Sequence, residues 1–387
     1  MVNGLAEWKE TAILEFIDII GGGTPKTSIA DYWNGEIPWL SVKDFNNDNR
    51  YVYDTEKHIS DLGLNNSSTK LLQRDDIIIS ARGTVGEIAM IPYPMAFNQS
   101  CYGIRAKAGT DKSFLYYLLK YKIADLKRMT HGSVFDTITR DTFANLIVSL
   151  PPYEIQRGIA SVLMLIDDKI ECNSRINDNL QQQAKSLYEE MFLNNPDADM
   201  VSGTLSDIAT ITMGQSPSGS SYNEESVGEI FYQGRAEFGF RFPSRRLFTT
   251  EPKRMAEPGD VLLSVRAPVG DLNVAYEKCC IGRGLGAIHS KTGDSSFMLY
   301  TMFALKPQLD VFNGEGTVFG SINRDGLSNL PVNIPSAEEI AKFEATVRPM
   351  DNLIRTNYEE ICRLQSIRDS LLPKLMSGEI DVSDIQL

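Results

Sequence analysis

Histidine and cysteine are scarce in this 387-residue chain, and long apolar runs are missing. The three histidines, His58, His131 and His289, are scattered. The five cysteines, Cys101, Cys172, Cys279, Cys280 and Cys362, make no CxxC pair. A zinc site built on such pairs is therefore not expected, and a sparse, odd set of thiols fits a reduced, cytoplasmic setting. No apolar run reaches the roughly 18 residues that span a bilayer, and the start MVNGLAEWKE has no basic-then-apolar leader, so no membrane anchor is expected. Catalytic signatures are lacking too: there is no G-x-S-x-G, no GxxxxGK[ST] and no HExxH. Gly282-Arg283-Gly284-Leu285-Gly286 is glycine-rich, but it is not a G-x-G-x-x-G opening a helix. Asp75-Asp76 reads as a turn and Asp167-Asp168 as a solvated helix face. The expectation is a non-catalytic protein with no cofactor and no metal.

The net charge of −13 argues at first against a polyanion partner. The charge is unevenly spread. Residues 1–150 carry 16 Lys and Arg against 18 Asp and Glu, and residues 201–334 carry 12 against 14. Residues 151–200 carry 4 against 9, and residues 335–387 carry 6 against 10. Two nearly neutral segments thus alternate with two acidic ones, and the neutral segments keep room for local basic surfaces.

The acidic segments hold one helix pattern written twice. After Pro151-Pro152 comes an amphipathic stretch over 154–192, and after Pro335 comes another over 338–376, so a shift of 184 lays Asp351 on Asp167, Ile354 on Ile170 and Leu371 on Leu187. Each opens with a proline and an acidic first turn, which starts a helix and complements its dipole. Helices of about 38 residues would run about 57 Å at 1.5 Å per residue, a length that predicts a coiled coil. The heptad a row is clean, with Ile159, Ile166, Asn173, Leu180 and Leu187 matched by Phe343, Met350, Asn357, Leu364 and Leu371. The d row is ragged, and Ile170, Ala184, Met191 and Ile361 cover the positions beside it. Asn173 and Asn357 share one heptad position, and antiparallel packing would let them meet and fix the register.

The repeat extends upstream. Ser80-Ala81-Arg82-Gly83-Thr84-Val85-Gly86 matches Ser264-Val265-Arg266-Ala267-Pro268-Val269-Gly270, and the loop from Gly132 matches that from Gly316, both at 184. Gly23-Thr24-Pro25 matches Gln215-Ser216-Pro217 at 192. Each unit reads as mixed α and β, with the runs 75–80 and 259–264, apolar stretches preceded by turn residues, read as buried strands. Between the shared points, residues 26–72 and 218–255 have little in common. The fold class is α+β, two mixed α/β domains related by a pseudo-twofold and separated by two long helices in an antiparallel coiled coil. The divisions fall at 1–150, 151–193, 194–334 (linker and second domain) and 335–387.

Polar and basic residues recur in the loops. Arg82, Thr84 and Arg266 follow a strand, flanked by small residues that admit a close duplex. Ser133 and Thr317 offer hydroxyls to phosphate oxygens. The inserts add Lys26, Thr27, Trp39, Lys43, Asn46 and Asn47 in the first half, and Gln233, Arg235, Arg241, Arg245 and Arg246 in the second. Arg, Lys, Asn and Gln are the residue types that read base edges.

With these motifs in view, the chain resembles the specificity (S) subunit of type I restriction-modification systems. The features that carry the resemblance are Gly22-Gly23-Thr24-Pro25, SARGTVG from Ser80, GSVFDTIT from Gly132, PPYEIQ from Pro151 and LLPKLMSGEI from Leu371, with their second-half counterparts. The second half departs at Ala267-Pro268 and Gln215. The resemblance implies two target recognition domains, each reading half of a split sequence in double-stranded DNA. The helices between them would dock two methyltransferase (M) subunits, with restriction (R) subunits completing the complex. Two other readings compete: an assembly scaffold that no longer binds DNA, and an enzyme acting on DNA by itself, which the missing motifs disfavour.

Overall fold

The computed structural model describes residues 8–47, 49–130, 137–195, 200–314 and 320–383. The chain divides into two units, residues 1–174 with 358–387, and residues 175–357. The elements the two halves share are, in chain order, β1 (Ile17–Gly21), β2 (Ile77–Ser80), β3 (Ile88–Met90), β4 (Cys101–Ala106), α1 (Lys112–Thr130) and α2 (Tyr153–Tyr188), then β5 (Ala209–Met213), β6 (Val261–Ser264), β7 (Leu272–Val274), β8 (Leu285–Ser290), α3 (Ser295–Ala304) and α4 (Ala337–Met376).

Each unit is built on a four-stranded antiparallel sheet, ordered β1-β4-β2-β3 in the first and β5-β8-β6-β7 in the second. The central strands form for the same local reason. Asp75 and Gly259 adopt left-handed backbone, with φ of 66° and 90°. The next residue closes the turn: Asp76 accepts the Gln73 N–H at 2.7 Å and Asp260 the Glu257 N–H at 2.9 Å. The apolar runs that follow are wholly buried. Asp76, read as a turn residue, is also buried and holds Arg105 at 2.5 Å.

The inserts add sheets of their own. The first contributes Trp33–Leu40, Lys57–Ile59 and, from beyond it, Ala96–Phe97, and the second a five-stranded sheet that includes Glu229–Tyr232 and Cys279–Ile281.

Tertiary packing holds the long helices. In the first unit Phe114, Tyr117 and Leu118 of α1 share a core with Ile159 and Leu163 of α2 and Leu372 and Leu375 of α4. In the second, Phe297 and Tyr300 of α3 share one with Tyr188 of α2 and with Phe343 and Val347 of α4. Each such side chain contributes about 1.5–3 kcal/mol on burial, more than helix propensity supplies over a turn. The helices run antiparallel, since partners on α4 fall in number as those on α2 rise. In the first unit Asp167 meets Arg368 and Asn173 meets Glu360, and in the second Asn177 meets Asn357.

The buried face of the pair is the a row with the e row, not a with d. Leu163, Asn177 and Ala184 are buried on α2, and Val347, Ile354, Arg368 and Leu375 on α4, while the d residues Ile176, Leu353 and Ile367 stay exposed. Each helix packs on a globular unit as well as on its partner, and that second contact widens and turns its buried stripe. One consequence concerns the asparagines. Asn173 donates to Glu360 at 2.7 Å and Asn357 to Asn177 at 2.8 Å, so each takes a partner other than its repeat mate. A second concerns Asp167, which is not on a solvated face: it is 6% exposed and bonded to Tyr117 and Arg368.

Candidate nucleic-acid interface

One end of each sheet gathers the repeated motifs. In the first unit β1 runs out into Gly22-Gly23-Thr24-Pro25, β4 is entered from Asn98-Gln99-Ser100, and β2 turns to β3 through 81–87. In the second unit the same end carries Gly214-Gln215-Ser216-Pro217, Gly282-Arg283-Gly284 and 265–271. Close backbone approach requires the first glycine of each set. A Cβ at Gly22 would lie 2.0 Å from the Asn98 carbonyl oxygen, and one at Gly214 would lie 2.1 Å from that of Gly282. The side chains meet as well, for Thr24 donates to the Gln99 amide oxygen and the Arg283 N–H donates to Ser216 Oγ at 3.3 Å.

The hairpin turns are braced identically. Ser80 Oγ accepts the Glu87 N–H at 2.8 Å, and Ser264 Oγ accepts the Asp271 N–H at 2.9 Å. Each turn is then tied to the end of the third motif. The Ala81 carbonyl accepts from Ile138 at 3.0 Å and the Val265 carbonyl from Ile322 at 3.1 Å, with Ala267 donating to Gly320. Below each turn sits a lysine: Lys127 packs where a side chain on Gly86 would go, and Lys306 flanks Gly270.

Arg82 and Thr84 are exposed at the tip of the first turn, and Arg266 at the tip of the second. Lys26 and Thr27 are exposed just past the first glycine turn, and Lys43 is exposed on the one-turn helix Val42–Phe45 of the insert. Arg235 and Arg245 are exposed but engaged, with Asp271 at 2.5 Å and Glu277 at 2.6 Å. Ser133 and Thr317 lie outside the described residues. Gln99 and Arg283 belong to the cluster although sequence reading passed over them. They stand 184 positions apart, and that spacing was the signal available.

Two proposed insert readers are structural instead. Trp39 is 7% exposed, with its indole N–H on the Gly23 carbonyl at 3.0 Å. Arg241 is 4% exposed and donates to Asp351 at 2.7 Å, Gln181 at 3.1 Å and Tyr300 at 3.2 Å. Burial opposes its charge, but Asp351 and Tyr300 outweigh that and raise its pKa. Among the described residues no ion pair is recorded for Arg82, Arg266 or Arg283. Arg82, Arg266 and Arg283 are thus open to an incoming anion, and at the sheet ends hydroxyls and backbone donors accompany them. Burial pushes the Cys101 and Cys279 thiols up to about 12, away from a reactive thiolate. No group of acidic, histidine or cysteine residues suited to a metal occurs among the described residues, and no helix there is long and apolar enough to cross a membrane.

Comparison with known proteins agrees with a duplicated reader. Residues 6–182 and 198–363 match the family described as the type I restriction modification DNA specificity domain. The chain is 31% identical to the putative type I restriction enzyme MjaX specificity subunit of Methanocaldococcus jannaschii, covering 70% of this chain and 68% of that one. The MjaIX specificity subunit of the same organism is 26% identical, covering 98% and 95%. The crystal structure of the type I restriction-modification S subunit from M. genitalium superposes with a TM-score of 0.60 at 16% identity, over 97% of each chain, a likeness of fold. The protein belongs to the type I restriction-modification specificity subunits. As such it is a non-catalytic component of a restriction-modification complex.

Proposed function

We propose that this chain reads a bipartite, asymmetric target in double-stranded DNA, each unit taking one half. The observation that carries the reading is the same sheet end built twice, with open cations and hydroxyls, beside inserts that differ. A shared frame supplies phosphate contacts that set register, and different inserts supply different base contacts. Lys26, Thr27, Lys43, Arg82 and Thr84 serve the first half, with Arg235, Arg245 and Arg266 in the second. Ser133 and Thr317 extend the phosphate contacts. Arg235 and Arg245 exchange their carboxylate partners for DNA on binding.

The long helices set the distance between half-sites and dock two M subunits, with R subunits joining the full complex. Exposed Leu165, Ile176, Leu353 and Ile367 on acidic helices fit a protein partner better than a phosphate backbone. The M subunits then supply much of the basic surface and the salt-dependent affinity. Exchanging residues 26–72 for the corresponding segment of a relative tests the reading. Mapping methylated bases afterwards should show one half-site changed and the other kept. An unchanged methylation pattern would favour the scaffold instead.

A further inference from the structure

Arg50 and Arg241 occupy equivalent places in inserts that share no recognisable sequence. The Met90 N–H donates to the Arg50 carbonyl at 2.7 Å, and the Val274 N–H, 184 positions later, donates to the Arg241 carbonyl at 2.8 Å. Each arginine thus rests on the edge strand of its sheet, β3 or β7. Each side chain then leaves the insert for the long helices. Arg50, its side chain 8% exposed, pairs with Asp168 and reaches the Met164 carbonyl at 3.4 Å, both on α2. Arg241 spans Asp351 on α4, Gln181 on α2 and the Tyr300 hydroxyl. In both guanidinium groups Nε is buried without a hydrogen-bond partner. The fork, not the whole group, is what each site was shaped around.

The receiving frame is duplicated, and its differences compensate. Tyr117 donates to Asp167 at 2.7 Å and Tyr300 to Asp351 at 3.1 Å. Around Asp167 the frame supplies its own cation, Arg368, at 3.0 Å, which leaves Asp168 for Arg50. In the second half Ala184 stands where Arg368 would, Asn352 stands where Asp168 would, and the one remaining carboxylate is met by Arg241.

We propose that Arg50 and Arg241 are positioning residues for half-site recognition, latching each insert at a fixed angle to the helix on which it rides. The proposal depends on the reading of the inserts as base readers. It adds a rule of exchange: a foreign second insert works only if it delivers an arginine to Asp351 and Tyr300, whereas the first half keeps Asp167 paired without one.

The test uses the full chain assembled with its methyltransferase subunits. Methylation is compared on the cognate target and on targets with one base changed in either half, alongside thermal unfolding of the same complexes. Arg241→Met should cut discrimination in the second half-site by about tenfold, the worth of one good base contact, and leave the first unchanged. Arg50→Met should do the reverse. Arg241→Lys, which keeps charge but not the fork, should lose part of the discrimination if Arg241→Met does not assemble. Arg241→Met with Asp351→Leu should regain thermal stability without regaining discrimination. If discrimination returns with stability in that double variant, or if both half-sites relax together, the latch is only a charge pair and the proposal fails. A wild-type complex indifferent to base changes in both halves would instead overturn the DNA-reading function itself.

Discussion

The hydroxyl of Tyr117 donates to the carboxylate of Asp167 across 2.7 Å inside the first unit. Burial, and then the charge of Asp167, raise the tyrosine pKa, so this bond joins a neutral donor to an anion in a dry site. Tyr300 and Asp351 repeat the bond in the second unit. What differs is the origin of the counter-cation: Arg368 of the helix in one, Arg241 of the insert in the other.

That difference sets two unequal stability costs. Arg241→Met takes from Asp351, whose side chain is 17% exposed, the guanidinium that meets it at 2.7 Å, and the loss should approach about 3–5 kcal/mol, the cost of breaking one side of a buried pair. Arg50→Met releases Asp168, whose side chain is 54% exposed, while Asp167 keeps Arg368, so its cost should be nearer 1 kcal/mol. Urea unfolding of the two variants measures the gap, and equal losses would contradict the assignment of Arg241 as the cation that compensates Asp351.

In the proposed reading, Arg82 and Arg266 are the sheet-end cations that contact phosphate. Arg82→Ala or Arg266→Ala should weaken DNA binding by the M-bound complex similarly on all sequences and reduce the salt slope by about 1. Fluorescence anisotropy over a salt series reads both quantities. Neither variant should disturb M association, and loss of the complex on sizing would contradict the placement of these arginines on the DNA side.

The duplicated frame was legible because a fixed shift of 184 preserves it: the hairpin turns, the proline-led helices and the paired aspartates all align. The insert latches were not legible, since Arg50 and Arg241 stand 191 positions apart in segments without a common register and only the strand contacts of Met90 and Val274 equate them. Arg241 looked like a surface reader because an arginine among Phe240, Phe242 and Arg245 gives no sign of which side it faces. The a row of the helices was readable. The e row was seen only as irregularity in d, because the packing of each helix on its globular unit is invisible to a heptad count. Asp167 was misread for the same reason: its partners, Tyr117 and Arg368, lie 50 and 201 positions away.

The buried asparagines give a sharper test than a contact between Asn173 and Asn357 would. Asn357 is 7% exposed and Asn177 is 3% exposed, with one hydrogen bond of 2.8 Å between them. Asn357→Leu leaves the Asn177 amide unsatisfied and should cost about 1–3 kcal/mol, whereas adding Asn177→Leu should recover most of that by removing the orphan. The double variant should also tolerate more than one spacing between half-sites, because a polar pair no longer fixes the register. Asn173→Leu should be milder, since Glu360 keeps Lys169 at 3.4 Å. Denaturation and methylation of targets with altered spacers check both halves of this prediction.

The exposed apolar side chains of the helices distinguish docking from mere solubility. Leu165 is 69% exposed, Ile367 47%, Leu353 44% and Ile176 37%, and each lies outside the a and e rows that the helix pair itself buries. Substituting them with Ser removes nothing from either core, so unfolding temperature should hold or rise slightly. Apolar anchors at a protein interface commonly cost more than about 1 kcal/mol each when truncated. Leu165→Ser with Ile367→Ser should therefore weaken M-subunit assembly at least about tenfold, read by sedimentation. The Arg82→Ala variant, which spares these positions, serves as the opposite control. Assembly that survives all four serine substitutions would mean that the methyltransferase grips the globular units, and the acidic helices would then act as spacers alone.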